Sequence, residues 1–142
     1  MNILNTKYFG KMEYDQETIF TFEEGIPGFA NLHQFIAISE KDSVFTYLQS
    51  VEREDICFVM INPFTVFEDY DIEISEETIS KLSINQVQDI MIYSILTIPE
   101  NVNEITANLR APIVLNLASK KGVQEIINNE KYTTKHKIVK GE

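Results

Sequence analysis

Residues 105–117, I-T-A-N-L-R-A-P-I-V-L-N-L, alternate apolar and polar side chains as a β-strand does until Pro112 interrupts them. Proline has no N–H to give to a sheet ladder, so it is tolerated at a strand's start or edge and not at its centre. The stretch is therefore expected to form two strands, over residues 105–109 and 112–119. Asn108 and Asn116 sit among aliphatics, a pattern of specified packing that names no chemistry.

Working outward, most of the chain reads the same way. Residues 18–22 alternate and end at the acidic pair Glu23–Glu24, and Gly25-Ile26-Pro27-Gly28 then supplies turn residues. Residues 34–39, 44–51 and 56–61 are short β-rich runs separated by charged turns, and Asn62-Pro63 marks a break. Residues 71–75 alternate again, and residues 89–98 form a long β-branched run ending at Pro99. Helical patterning is scarce. Ser75 offers an N-cap, with Glu76 and Glu77 in the first turn and Ile79 and Leu82 at helical spacing, which predicts a helix over 76–82. One further turn is expected within 31–35, while 122–129 fits a helix or a strand. With no repeat, low-complexity tract or linker, residues 1–142 are expected to form one domain. The class is mainly β, a small antiparallel barrel or sandwich with one or two short helices.

Composition narrows the function classes. The chain of 142 residues is 44% hydrophobic and 24% charged, as a folded protein is. Its longest apolar run, residues 56–61, is far short of a membrane span, and its N-terminus lacks the pattern of a signal peptide. A single cysteine allows no internal disulfide, and a cytoplasmic location is expected. The net charge of −10 is unevenly spread: residues 1–80 carry 4 Lys+Arg against 16 Asp+Glu, and residues 81–142 carry 8 against 6. Such a chain is repelled by phosphate backbones and anionic lipids, so direct nucleic-acid or membrane binding is disfavoured. The acidic half suits a basic protein partner or serves solubility alone.

An enzyme needs a nucleophile, an acid–base pair or a metal cluster, and no such set assembles by spacing. Cys57 lies inside the most apolar run and reads as a buried small hydrophobe. His33 and His136 have no second His or Cys at metal-ligand spacing, so neither a metal nor another cofactor is expected. No serine sits in a nucleophile elbow, and the five glycines make no phosphate loop. The carboxylate pairs Glu23–Glu24, Glu54–Asp55, Glu68–Asp69 and Glu76–Glu77 lie in polar turns, where solvation keeps them ordinary. The basic residues 131–137 read as a terminal strand with a solvated face.

Two stretches are candidate interaction surfaces. Phe64, Phe67 and Tyr70 stand beside Glu68, Asp69 and Asp71: either they combine contact area with charges that select a basic partner, or the aromatics pack into the core and leave the acids in water. Ile26, Pro27 and Phe29 form a constrained turn that serves as a core plug or as a binding loop.

Several motifs, in order, resemble the flagellar assembly factor FliW family from about Tyr8 to His136. Gly25-Ile26-Pro27-Gly28-Phe29 matches the family's turn, and Leu48-Gln49-Ser50 its L-Q-S. Asn62-Pro63 with Asp69-Tyr70 matches its proline-then-acidic-tyrosine segment. Asn108-Leu109 with Ala111-Pro112-Ile113 matches N-L-x-A-P-I, followed by Gln124. The resemblance implies a barrel-like fold with minor helices and a role without catalysis. It further implies binding to CsrA, a dimeric RNA-binding regulator, with relief of its repression of flagellin translation, and binding to flagellin itself. The other reading is a small barrel that holds an apolar ligand among its Phe and Tyr side chains.

Overall fold

The computed structural model of the chain describes residues 2–138. A hairpin of β1 (Asn2–Thr6) and β2 (Gly10–Tyr14) comes first, then β3 (Phe20–Thr21), β4 (Gln34–Ser39), β5 (Phe45–Ser50) and β6 (Cys57–Ile61). Two short helices follow, α1 (Pro63–Val66) and α2 (Glu76–Lys81). The remaining strands are β7 (Ile90–Thr97), β8 (Thr106–Ala107), β9 (Ile113–Asn116), β10 (Lys121–Gln124) and β11 (His136–Lys137).

Seven strands close on themselves in the order β7-β6-β5-β4-β3-β10-β9, because the first half of β7 pairs with β9. The expected mainly β barrel is what forms. Its pairings are antiparallel except at the seam between β10 and β3, which run parallel through Lys121 and Thr21. Beside that seam the Phe22 ring packs directly on Gly122, where an added Cβ would lie 2.5 Å from Phe22 Cζ. β8 and β11 extend the sheet past β7.

Strand alternation sends one face of each strand inward. Phe22, Phe35, Leu48, Met60, Ile113 and Leu115 fill the barrel interior and are fully buried. The other face of β6 and β7, with β8, packs against Tyr70, Leu109, Ile127 and Tyr132 in a second cluster outside the barrel. The β1–β2 hairpin lies on β4 through Leu4, Ile19 and Ile36. A filled interior leaves no room for an apolar ligand, which removes that reading of the barrel.

The motif residues turn out to be fasteners. Gln49 is wholly buried; its Nε2 donates to the carbonyls of Ser50 and Glu54 (both 3.0 Å), and its Oε1 accepts from Lys7 N (3.0 Å), tying the N-terminal hairpin to the barrel. Ser50 Oγ accepts from Arg53 N (2.9 Å) in the β5–β6 turn. Asn108 Oδ1 accepts from Ala111 N (2.9 Å), bending the chain before Pro112, and Gln124 Nε2 donates to Ala111 O (2.8 Å). Pro112 itself stands just before β9 and leaves the ladder intact.

Several expectations are corrected. Residues 71–75 join no sheet, because their neighbours are side chains and a groove in place of a second strand. The helical turn expected within 31–35 does not form: a tight turn closed by Leu32 N to Phe29 O precedes it, and Gln34 and Phe35 already belong to β4. Residue 18 belongs to a 3-10 turn that delays the first barrel strand to Phe20. Residues 122–129 take the strand option only as far as Gln124. Asn62-Pro63 is more than a break: Asn62 Oδ1 accepts from Phe64 N (2.9 Å) and Pro63 occupies the first turn of α1. Helix 76–82 forms nearly as expected, with Ser75 Oγ accepting from Thr78 N (3.1 Å).

Candidate interaction face

Leaving β6, the chain makes the single turn of α1 and reaches a bend at 67–70, closed by Tyr70 N to Phe67 O (3.0 Å). Tyr70 is buried, and its hydroxyl donates to Leu109 O at 2.6 Å. Burial without a charge partner raises its pKa well above the ordinary phenol value. Tyr132 meets it edge-on with ring centroids 4.7 Å apart, and Tyr132 Oη accepts from Asp71 N (2.9 Å). This anchoring aims the bend outward. Glu68, Asp69 and Asp71 are exposed, and among the described residues none has an ion-pair partner.

Of the candidate contact residues, Phe64 is 42% exposed on α1 with its ring against Tyr70, and Phe67 is half-buried against the ring of His136. Tyr70 is a core residue and presents no surface to a partner. Ile26 is likewise buried in the barrel, so its turn plugs the core: Pro27 and Gly28 are exposed at the tip, while Phe29 packs edge-on against Phe58 at 5.4 Å. That turn is anchored in the barrel core, whereas Tyr70 of the acidic bend belongs to the cluster outside it.

Sequence reasoning missed the apolar half of this face. An open groove of about 440 Å³ is lined by Phe64, Ile72, Ile74, Ile79, Ile84 and Ile90, with Val87 82% exposed at its rim. The alternation of residues 71–75 signalled it only as half of a strand. Across that segment a second groove, about 830 Å³, runs between Asp71–Glu76 side chains and those of residues 125–129. Glu125 is buried there and accepts from Ser75 N (3.3 Å) and the Thr78 hydroxyl, which fixes the start of α2. At the other end of α2, Lys81 pairs with Glu24 (2.6 Å) and Glu77 (3.3 Å).

The chemistry-bearing candidates are dispersed. His33 Nδ1 lies 2.9 Å from Phe22 O and donates to it, and His136 is far along the chain beside Phe67. Among the described residues no three His, Cys, Asp or Glu side chains gather as metal ligands. Cys57 is half-buried, less enclosed than its apolar neighbours suggest, and desolvation pushes its thiol to about 11, with Lys7 pulling weakly the other way. A thiol so raised stays protonated at neutral pH, and any stability linked to it is present below about pH 9 and lost as pH rises toward 11. Iodoacetamide should therefore alkylate native Cys57 at pH 7.5 at least about tenfold more slowly than it alkylates the urea-unfolded chain; equal rates would show an open, reactive site.

The fold is a closed small barrel that carries exposed acids and an apolar groove on one outward face. The comparisons give it a family. A family model described as FliW protein matches residues 3–138. The flagellar assembly factor FliW of Alkaliphilus metalliredigens is 48% identical over 139 residues, covering 96% of this chain and 86% of its own. That of Caldanaerobacter subterraneus is 46% identical over 138 residues, 96% and 92% of the two chains. A crystal structure of the flagellar assembly factor FliW superposes with a TM-score of 0.92 at 38% identity, over 99% of each chain. The chain belongs to the FliW family of flagellar assembly factors. No helix among the described residues is long and apolar enough to cross a membrane.

Proposed function

We propose that the chain is a non-enzymatic cytoplasmic regulator that binds CsrA, antagonises its repression of flagellin synthesis, and also binds flagellin, coupling flagellin level to its translation. The observation that carries this reading is the run of exposed acids, Glu68, Asp69 and Asp71, held outward by a buried tyrosine pair and free of ion-pair partners among the described residues. A basic RNA-binding protein is steered toward such a surface, and once docked, the added negative charge repels incoming RNA. The chain itself is expected to bind neither nucleic acid nor membrane. The apolar groove beside the acids supplies contact area for a segment of flagellin.

Calorimetric titration with CsrA, repeated after saturation with flagellin, tests both halves. Tight binding that flagellin abolishes is the expected result. Absence of CsrA binding would remove the regulatory reading, and binding indifferent to flagellin would remove the feedback half. Changing Glu68, Asp69 and Asp71 together to lysine is expected to slow association with CsrA about tenfold or more at low salt and to flatten its salt dependence. Unchanged association kinetics would take this patch out of the interface.

A further inference from the structure

Residues 71–75, D-I-E-I-S, carry the alternation of a strand, yet the structure pairs them with none. The segment is fastened at its two ends, where Asp71 N donates to Tyr132 Oη (2.9 Å) and Ser75 N donates to the Glu125 carboxylate (3.3 Å). Between these points, among the described residues, the N–H and C=O groups of Ile72, Glu73 and Ile74 make no hydrogen bond. The groove of about 830 Å³ lies alongside, with Ile126, 63% exposed, on its far wall. A backbone held in place with unused donors and acceptors is the feature that an incoming strand recognises.

Charge selects the occupant. Residues 62–80 contain six acids, Glu68, Asp69, Asp71, Glu73, Glu76 and Glu77, and no lysine or arginine. Lys81, the nearest base along the chain, is taken by Glu24 and Glu77. We propose that residues 72–74 form an open edge that takes up an extended, basic peptide segment of a partner protein by backbone pairing. Cross-strand neighbours share a face, so aliphatic side chains of that segment would lie beside Ile72 and Ile74, and lysine or arginine beside Glu73. A docked helix would leave the idle backbone groups unmet, because its own are paired internally. The inference concerns how a partner is held on the acidic face and rests on the reading of that face as a partner site.

The test uses the intact protein and a fluorescein-labelled nonapeptide of alternating valine and lysine. A second peptide is the same sequence N-methylated along its backbone, which keeps charge and side chains but removes the N–H donors. Fluorescence anisotropy is expected to report binding of the first peptide, at least tenfold weaker binding of the second, and loss of binding by Glu73→Lys. Amide hydrogen exchange at Ile72 and Ile74 should slow when the first peptide binds. Equal binding of the two peptides would reduce the effect to charge alone and overturn the proposal, as would no binding of either. CsrA titrated in parallel separates the two conclusions. CsrA binding without peptide binding keeps the regulatory reading and removes the docking mode, and the converse keeps the edge and removes the regulator.

Discussion

Gly25→Ala is expected to lower the melting temperature by roughly 10 °C, corresponding to about 3 kcal/mol for a chain of this size. Gly25 has φ +70°, a left-handed conformation that costs a residue with a Cβ about 1–2 kcal/mol. An added Cβ would also sit 2.6 Å from Ala30 O and 2.7 Å from Ala30 Cα. These are backbone atoms, so no side chain can swing aside, and the overlap adds about 1–3 kcal/mol. Relief would require the turn to lift, withdrawing Ile26 from the barrel core. Gly28 is the internal control. It too has a left-handed φ, +88°, but nothing lies within 4 Å of the place an added methyl would take, so Gly28→Ala should cost the conformational part alone. Differential scanning calorimetry of the two variants decides the matter: equal falls in Tm would refute the overlap at Gly25.

Asn116→Ala should cost about 2–3 kcal/mol, and Asn108→Ala about 1. Asn116 is buried in the last position of β9, where its Nδ2 donates to Leu82 O (2.8 Å) and its Oδ1 accepts from Ala118 N (2.8 Å). The side chain thus joins the end of α2 to the turn leading into β10, and truncation leaves these groups short of partners and a void between them. Leu82 O keeps a second donor in Ser119 Oγ (2.8 Å), which limits the loss. Asn108 is half-buried and makes one such bond, to Ala111 N (2.9 Å). Urea denaturation should show a lower midpoint with an unchanged slope for each, the Asn116 variant shifting about twice as far. A larger shift for Asn108 would mean that the bend before Pro112, and not the α2 junction, carries the stability.

Strand-forming runs with strong alternation, such as Gln34–Ser39, Phe45–Ser50, Cys57–Ile61 and Ile90–Thr97, were legible within a residue or two. So was the capped helix, because capping and first-turn acids are local chemistry. The β1–β2 hairpin was not, since its pattern is weak and its burial comes from lying on β4. Residues 71–75 misled for the converse reason: alternation reports which faces are apolar, not whether a partner strand stands alongside. At the candidate face the acids were readable as charge. The roles of Tyr70 and Ile26 were not, because an aromatic or aliphatic residue in a turn has the same local pattern whether it faces solvent or core.

Composition, charge distribution and ordered motifs by themselves determined a mainly β member of the FliW family with an acidic N-terminal half. These are properties of single residues and short windows, set by side-chain chemistry and strand periodicity. Tertiary structure decided the closure of the barrel through β7 with β9 and the parallel seam of β3 with β10. It also decided which acids point outward together and which backbone edge stays open. Each of these depends on pairings between segments distant in sequence, whose free energy exists only once the chain has brought both partners together.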